Sequence, residues 1–258
     1  MKRGLKNRTF TKDLLEVRVF PTREEMGLEA ARDVSRTIRK LLQEQEEVNM
    51  IFAAAPSQND FIQELITDGS IDWNRINAFH MDEYIGLDSD APQAFGNFLK
   101  ERIFNKVPLK SVHLIDGSAK DSKVECHRYA DLLTKFPADI VCCGIGENGH
   151  IAFNDPPVAD FNDPALVKVV ELEQGCRQQQ VNDNCFLRLE DVPMQAYTLT
   201  IPALMGAVYL FCIVPTALKA QAVYDTINGE VHEKCPASVL REKEGAILYI
   251  DEAAASLL

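Results

Sequence analysis

The sequence predicts an α/β fold that is built on a mainly parallel sheet. Strand-like apolar segments alternate with helical segments of roughly 10 to 15 residues, which is the spacing of crossover connections between parallel strands. Residues 208–214 are apolar throughout, as a central strand covered on both faces should be. The chain has 258 residues, of which 46% are hydrophobic, and no linker rich in proline, glycine or serine divides it. We therefore expect one domain over residues 15–258, preceded by a basic, solvated arm over residues 1–14.

The individual elements follow from local patterns. Apolar and charged residues alternate over residues 15–20, which predicts a half-exposed strand, and Thr22 and Glu25 form a capping box that predicts the start of a helix. Apolar segments predict further strands over residues 49–55, 75–81, 111–115, 139–143, 167–172, 196–201, 208–214 and 246–250. Apolar residues at helical spacing predict helices over residues 57–68, 95–103, 122–135 and 217–227, and a short alanine-rich helix after the last strand.

Composition argues against several classes of function. Acidic residues outnumber basic ones by 39 to 27, and the formal net charge of −12 argues against nucleic acid as a partner, because Lys and Arg must neutralise phosphates. The seven cysteines are odd in number and show no zinc-ligand spacing, which indicates buried thiols in a reducing compartment and no metal site. The basic start lacks the apolar core of a secretory signal, and residues 207–214 are too few to span a bilayer. We expect a cytoplasmic protein without membrane contact.

Polar clusters follow three of the predicted strands, at the ends where ligands bind to parallel sheets. The first covers residues 53–59, where small residues and Ser57 join a strand to a helix. Ser57 can both cap the helix and bind a phosphate oxygen, because free N–H groups at a helix start attract anions, and a simple cap is the plainer interpretation. The second covers residues 80–84, in which Asp82 and Glu83 follow an apolar strand. A partly desolvated carboxylate there can act as a general base, although a cap or a solvent-facing turn is the simpler interpretation.

The third cluster, residues 144–156, is the most informative. Three glycines within a short loop follow a buried strand and predict unusual backbone angles. They place His150 in a defined position, with Asn148 and Asp155 close by in the sequence. Because histidine carries protons near neutral pH, the loop favours a functional role for His150 over the structural role that an isolated histidine beside a strand usually has.

Taken together, these clusters resemble the glucosamine-6-phosphate deaminase (isomerase) family. The match comprises residues 81–87, Met-Asp-Glu-Tyr-Ile-Gly-Leu, and residues 144–154, which run from Gly-Ile-Gly to Gly-His-Ile-Ala-Phe-Asn. Similar order and spacing extend from about Met26 to the last strand. The resemblance implies a three-layer α/β sandwich with a modified Rossmann-like topology. It also implies the conversion of glucosamine 6-phosphate and water to fructose 6-phosphate and ammonia, with no metal, flavin or nicotinamide cofactor.

The same resemblance assigns catalytic roles by position. Asp82 falls on the general base, which removes the C2 proton of the open-chain sugar and returns a proton at C1. His150 falls on the residue that opens the pyranose ring, and Asp155 falls on an acidic residue, usually Glu, that orients this histidine. Asn148 stands where many members have Asp, and it can hydrogen-bond His150 without contributing a charge. Proton transfers of this kind need only carboxylate and imidazole groups.

The resemblance also assigns Ser57, Gly149 and Lys219 to the binding of the substrate or its phosphate. Lys219 is otherwise interpreted as an ordinary basic residue on a helix. The phosphate loop reads Ala-Pro-Ser-Gln and lacks the family's usual Gly-Ser or Gly-Thr-Pro sequence. The family's substrate-clamping arginine has no clean match in residues 181–186, and Arg177 is the nearest candidate for that role.

Other functions stay open at this point. The substrate of a galactosamine-6-phosphate isomerase differs from glucosamine 6-phosphate in the configuration of one hydroxyl. No motif in this sequence distinguishes the two configurations. A 6-phosphogluconolactonase needs a positioned water and no base at C2, so Asp82 argues against it. A non-catalytic sugar-phosphate sensor would carry a basic helix-turn-helix segment, and none is evident before Leu15. The expected partner is a small-molecule amino-sugar phosphate, and a homo-oligomer is compatible with the family, whose members range from monomers to hexamers.

Overall fold

Two sheets organise the part of the chain that the structure, a computed structural model, describes: residues 7–182 and 184–258. The strands are β1 (Arg8–Lys12), β2 (Leu15–Phe20), β3 (Val48–Phe52), β4 (Ile76–His80), β5 (Asp82–Tyr84), β6 (Ser111–His113), β7 (Ile140–Cys143), β8 (Val167–Glu171), β9 (Gln195–Leu199), β10 (Tyr209–Val214) and β11 (Ala246–Asp251). The helices are α1 (Arg23–Glu44), α2 (Asn59–Thr67), α3 (Phe95–Leu99), α4 (Ser122–Lys135), α5 (Gln174–Asn182), α6 (Ile201–Met205) and α7 (Ala220–Asn228).

The larger sheet has the strand order β1-β2-β11-β10-β7-β3-β4-β6. Every neighbouring pair is parallel except β1 with β2. The prediction of a mainly parallel sheet is therefore confirmed. The adjacent strands β10, β7, β3 and β4 all end at the same edge of the sheet, and the loops that follow them meet there.

Helices cover both faces of the larger sheet and complete three layers. Side chains alternate along each strand, so Met50 and Phe52 of β3 face a core that is shared with α1, α2 and α3. Ile51, between them, faces the opposite core, which is shared with α4, α6 and α7. Because both cores are apolar and buried, each helix layer is held by burial against the sheet. The predicted three-layer sandwich with a Rossmann-like arrangement is confirmed.

The smaller sheet differs from the prediction. Residues 167–172 and 196–201 are predicted as strands of a mainly parallel sheet, but β8 and β9 pair antiparallel with each other in a separate sheet. β9 also pairs antiparallel with β5, whose existence the sequence does not predict. A strand of three residues is too short to show a period of two, which is the physical reason for this miss.

Both ends of the described chain also differ from the prediction. Residues 8–12, expected within a solvated arm, form β1 against β2, with Phe10 opposite Val17. Phe10 packs on the apolar core, which favours an edge strand over a free segment. Residues 1–6 of the expected arm lie outside the described residues. The alanine-rich helix expected after β11 is a series of turns over residues 252–257, a stretch too short for a stable helix.

The composition-based expectations concern thiols and membranes. All seven cysteines are free, and Cys142, Cys143 and Cys212 are buried within the larger sheet, as the apolar run around the first two predicts. Among the described residues, no helix has the length and apolar character that crossing a bilayer requires.

Candidate active site

A cavity of about 200 Å³ opens at the carboxyl edge of the larger sheet. The segments that follow β3, β4, β7 and β10 line it. They contribute Ser57, Asp82 (at the start of β5), His150 and Lys219, respectively. These strands are adjacent, so residues far apart in the sequence meet beyond their carboxyl ends. The structure thus brings the predicted base, the predicted ring-opening histidine and two predicted phosphate ligands to one place.

Asp82 is the first residue of β5, and only 6% of its surface is exposed. Burial raises the pKa of Asp82 well above its usual value, and the neighbouring charge of Glu83 adds to this rise. No hydrogen bond from the described residues offsets the increase in the pKa. A carboxylate in this setting is a stronger base than an exposed aspartate, which suits the abstraction of a proton from carbon.

The loop after β7 presents His150 to the cavity. The N–H of Gly146 donates to the carbonyl of His150 at 2.9 Å and closes the loop. A side chain at Gly146 is excluded, because a Cβ there would lie 2.1 Å from Cε1 of the imidazole. Gly149 adopts a φ of +85°, which favours glycine, and lies next to Cys235. Gly149 is not among the residues that line the cavity, so its contribution is to the shape of the loop.

Two acceptors hold Nδ1 of His150. It lies 2.7 Å from Oδ1 of Asn148 and 3.1 Å from Oδ1 of Asp155, so the shorter Asp155 still reaches the imidazole. Both partners accept, which assigns a proton to Nδ1, so in the neutral tautomer of the imidazole the lone pair lies on Nε2. Asn148 also donates from Nδ2 to Asp155 at 2.8 Å. Burial raises the pKa of Asp155, but the hydrogen bonds from His150 and Asn148 outweigh it and hold the pKa below its usual value.

Thr198 of β9 contacts both the strand that contains Asp82 and the loop that contains His150. Sequence reasoning does not reveal this role. Thr198 is the register partner of Asp82 in the ladder between β5 and β9. Its hydroxyl accepts from the N–H of Phe153 at 3.1 Å and from Nδ2 of Asn154 at 3.4 Å, in the loop that carries His150. Asn154 is fully buried and also donates to a β9 carbonyl at 2.8 Å. The strand of the base and the loop of the histidine are therefore positioned by the same element.

Ser57 lies in a 3-10 turn over Pro56–Gln58 that precedes α2. Neither the turn nor α2 has a side-chain cap hydrogen bond, so the simple-cap interpretation is wrong. Oγ of Ser57 instead accepts from Nε2 of Gln58 at 3.1 Å, and the same amide donates to the carbonyl of Ile213 at 3.1 Å. The sequence pattern does not reveal this role of Gln58. Gln58 ties the Ser57 loop to the strand that precedes Lys219.

Lys219 is 6% exposed at the end of a 3-10 turn, Ala217–Lys219, so it is not an ordinary basic residue on an open helix face. Thr216, just before the turn, has a φ of +83°, which a β-branched residue rarely adopts. Its N–H donates to both carboxylate oxygens of Asp251, each at 3.1 Å. This contact offsets the backbone strain and fixes the path of the chain into the cavity.

The structure does not support Arg177 as the substrate clamp. Arg177 lies on α5 and does not line the cavity. Its guanidinium donates to the backbone carbonyls of Leu189 at 2.7 Å and Val192 at 2.9 Å, so it holds a neighbouring loop. The same helix supplies Gln179 and Gln180 to the cavity wall. Sequence reasoning missed both, because α5 is polar along its length and shows no apolar period.

One group of potential metal ligands occurs among the described residues. It comprises His150, Asp155 and Cys176, whose ligand atoms lie within 4.8 Å of one another. Burial raises the pKa of the Cys176 thiol, and the charge of Asp155 adds to the rise. The hydrogen bonds of Asp155 with His150 and Asn148 already account for its placement. We therefore interpret the group as the support of the imidazole.

These features define a class of protein. It is a Rossmann-like α/β protein whose cavity contains two groups that can transfer protons, a buried carboxylate of raised pKa and an imidazole, at the carboxyl edge of the sheet. The buried Lys219 adds a positive charge to the same cavity, which suits an anionic ligand.

Comparisons with known proteins refine this class. A family model described as glucosamine-6-phosphate isomerases/6-phosphogluconolactonase matches residues 21–249, and the chain belongs to this family. A protein named glucosamine-6-phosphate deaminase from Listeria monocytogenes serotype 4a (strain HCC23) is 35% identical over 212 residues, 82% of this chain and 88% of the relative. Another of that name, from Exiguobacterium sp. (strain ATCC BAA-1283 / AT1b), is 37% identical over 193 residues, 75% of this chain and 74% of the relative.

Solved structures give the same picture of the fold. A structure described as a monomeric glucosamine-6-phosphate deaminase aligns with a TM-score of 0.86 and 29% identity, and the alignment covers 94% of this chain and 99% of that one. A 6-phosphogluconolactonase from Thermotoga maritima aligns with a TM-score of 0.72 and 20% identity over 92% of this chain and 99% of that one. The likeness to the lactonase shows a shared fold alone.

Proposed function

We propose that this chain is a glucosamine-6-phosphate deaminase, which converts glucosamine 6-phosphate and water to fructose 6-phosphate and ammonia. The observation that carries the proposal is the meeting of Asp82 and His150 at one cavity with Ser57 and Lys219. The relatives named glucosamine-6-phosphate deaminase support it, because they match the chain over 75% to 82% of its length.

His150 opens the sugar ring in this proposal. Its Nδ1 faces Asn148 and Asp155, so Nε2 is the nitrogen that takes the proton of the anomeric hydroxyl and gives it to the ring oxygen. The bond between the anomeric carbon and the ring oxygen breaks, and the open-chain aldehyde forms. The ionised Asp155 stabilises the imidazolium that exists during the transfer.

Asp82 then moves a proton between carbons. It removes the proton from C2 of the aldehyde, and the electron pair forms the double bond between C1 and C2 of an enolamine. The π pair of the C1 carbonyl moves to its oxygen, which takes a proton from the ammonium group on C2 and becomes a hydroxyl. The carboxyl group of Asp82 returns its proton to C1, which leaves a protonated imine at C2. Water adds to C2 and ammonia leaves, so the ketose phosphate is the product. The raised pKa of Asp82 favours the first of these steps.

Ser57 and Lys219 bind the phosphate at the far end of the sugar. Lys219 supplies a charge from a buried position, where a Coulomb interaction is screened less than in water. Binding energy from a remote phosphate orients the reacting carbons toward Asp82 and His150. Proton transfer and hydrolysis need only these side chains and water, so the proposal includes no metal or organic cofactor. Seven free cysteines support a reducing, cytoplasmic location.

An ammonia-release assay tests the proposal. Purified protein is mixed with glucosamine 6-phosphate, galactosamine 6-phosphate or 6-phosphogluconolactone in parallel, and Asp82→Asn protein is the control. We expect ammonia and fructose 6-phosphate from the first substrate, with little product from the variant.

Three results would contradict the proposal. Faster turnover of galactosamine 6-phosphate would assign the other sugar configuration. Hydrolysis of the lactone without ammonia release would assign lactonase activity. Tight binding of the sugar phosphate without any turnover would indicate a sensor.

A further inference from the structure

The charge of the cavity raises a question about its ligand. A phosphate monoester carries a charge of about −1.5 to −2 at pH 7, and neutralising it takes more than one cation. Two lysine or arginine side chains are among the residues that line the cavity, Lys219 and Arg23. The predicted clamp, Arg177, is committed to backbone carbonyls elsewhere. Arg23 is therefore the guanidinium that the cavity itself provides.

The packing of α1 explains how Arg23 reaches this place. Arg23 is the first residue of α1, directly after the Thr22 cap. Gly27 lies one turn later on the same face, and a Cβ there would meet Asp60 of α2 at 2.9 Å. The absence of a side chain at Gly27 lets α1 approach α2 closely. This approach brings Nη2 of Arg23 to 3.4 Å from the carbonyl of Pro56, next to Ser57.

The guanidinium of Arg23 is oriented by hydrogen bonds from Nε and Nη2, whereas its Nη1 donates no hydrogen bond to the described residues. Nε donates to Oδ2 of Asp60 at 2.7 Å, and Nη2 donates to the same oxygen. Among residues 7–182 and 184–258, no acceptor engages Nη1 of Arg23. A planar guanidinium that is oriented in advance loses little freedom when it binds a phosphate oxygen.

We propose that Arg23 is a phosphate ligand of this site and acts together with Lys219 and Ser57, while Asp60 orients the guanidinium. The proposal rests on the proposed function and adds to it the residue that completes recognition of a phosphorylated sugar. Arg23 touches the phosphate and not the reacting carbons. Its loss therefore weakens substrate binding more than it slows the chemical steps.

Five proteins test this role: the unaltered chain, Arg23→Gln, Arg23→Ala, Asp60→Asn and Arg32→Ala. Arg32 is a matched control, because it is an exposed arginine of α1 paired with Glu29. We expect Arg23→Gln to raise KM for glucosamine 6-phosphate about 10- to 100-fold, with kcat changed by less than about threefold. Calorimetric titration with inorganic phosphate should show a similar rise in Kd. Asp60→Asn removes the charge that orients Arg23 but keeps an acceptor oxygen, so KM should rise by less than in Arg23→Gln. Arg32→Ala should stay within about twofold of the unaltered chain.

The outcomes separate this proposal from the function on which it rests. Unchanged phosphate binding in Arg23→Gln overturns the proposal. An equal rise of KM in Arg32→Ala also overturns it, because the effect then belongs to any loss of positive charge on α1 and not to a contact of Arg23 with the phosphate. Arg23→Ala serves as the second variant, and thermal unfolding shows that each protein is folded. If the unaltered chain releases no ammonia, the proposed function fails, and the phosphate titration still decides the role of Arg23.

Discussion

Asp82 and Glu83 are neighbours in β5, yet they serve different cavities. Because side chains alternate along a strand, Asp82 faces the cavity that contains His150, whereas Glu83 faces a second cavity of about 250 Å³. Both side chains are buried, and burial raises the pKa of both. Sequence and burial therefore do not distinguish them.

Hydrogen bonds do distinguish these two carboxylates. Glu83 accepts from the N–H groups of Tyr84 and Phe95 at 2.9 Å and of Gly96 at 2.8 Å, and so it holds the start of α3. Asp82 receives no such bond from the described residues. A buried carboxylate that is surrounded by donors stabilises the fold, whereas one that lacks them keeps its lone pairs for a ligand. The following predictions test this difference.

The largest expected effect is the loss of catalysis in Asp82→Asn. An amide cannot accept the C2 proton, so kcat should fall about 10²- to 10⁴-fold. The free energy of unfolding at neutral pH should be equal or higher, because the variant no longer buries a charge. Ammonia release and urea unfolding measure the two effects. A variant with nearly normal kcat would show that Asp82 is not the base.

The second-largest expected effect is the displacement of His150, which lines the same cavity as Asp82. In Gly146→Ala the new Cβ would lie 2.1 Å from the imidazole of His150, so the ring must move. We expect kcat to fall about 100-fold, which is typical of a catalytic group displaced by about 1 Å. Gly69→Ala is the control, since nothing lies within 4 Å of a Cβ at that position. Equal activity of both variants would contradict the assignment of His150.

Glu83→Gln should instead reduce stability. A glutamine has one acceptor oxygen for the three N–H groups that Glu83 binds, so at least one buried donor loses its partner. We expect a loss of about 1–3 kcal/mol in the free energy of unfolding, with kcat of the folded protein largely retained. Urea denaturation followed by circular dichroism measures the loss. If catalysis fell as far as in Asp82→Asn, the two faces of β5 would not be functionally distinct.

The smallest effect is a shift in pH dependence. The charge of Glu83 contributes to the raised pKa of Asp82, after the larger effect of burial. Its removal in Glu83→Gln should lower the pKa of Asp82, and the general base then becomes ionised at lower pH. The acidic limb of the kcat/KM profile should therefore move to lower pH. A shift to higher pH would mean that Glu83 affects Asp82 through structure and not through charge.

Much of the site follows from the sequence for a geometric reason. Ser57, Asp82, His150 and Lys219 each follow an apolar strand, and parallel strands collect their carboxyl ends at one edge. Local periodicity is enough to find such strands. The family resemblance then supplies roles that periodicity does not give.

Other parts of the site depend on contacts that the sequence does not display. Arg23 sits in the first turn of a capped helix, a position that is usually solvated, and only the close approach at Gly27 brings it to the cavity. The guanidinium of Arg177 donates to backbone carbonyls of the loop that contains Leu189 and Val192. No pattern in the sequence predicts that this loop lies next to Arg177.

His80 and His150, which belong to two of the predicted polar clusters, also differ because of contacts that the sequence does not display. His80 accepts from the N–H of Ile115 at 2.8 Å, and burial, with a smaller effect of the Lys100 charge, lowers its pKa to about 3. His80 is therefore a neutral part of the core, whereas His150 lines the cavity. His80 ends one strand and His150 follows another, and the three-dimensional surroundings of the two histidines separate their roles.

The contacts of Thr198 with the strand of Asp82 and the loop of His150 affect how these two groups move relative to each other. β9 pairs with the strand of Asp82 and also anchors the loop of His150, so we expect a thermal displacement of β9 to move both groups together. The separation of these two groups should therefore fluctuate less than their separation from Lys219, which follows another strand. Under the proposed function, we expect adjustment to sugars of different length or shape to be concentrated near Lys219, while Asp82 and His150 keep their separation.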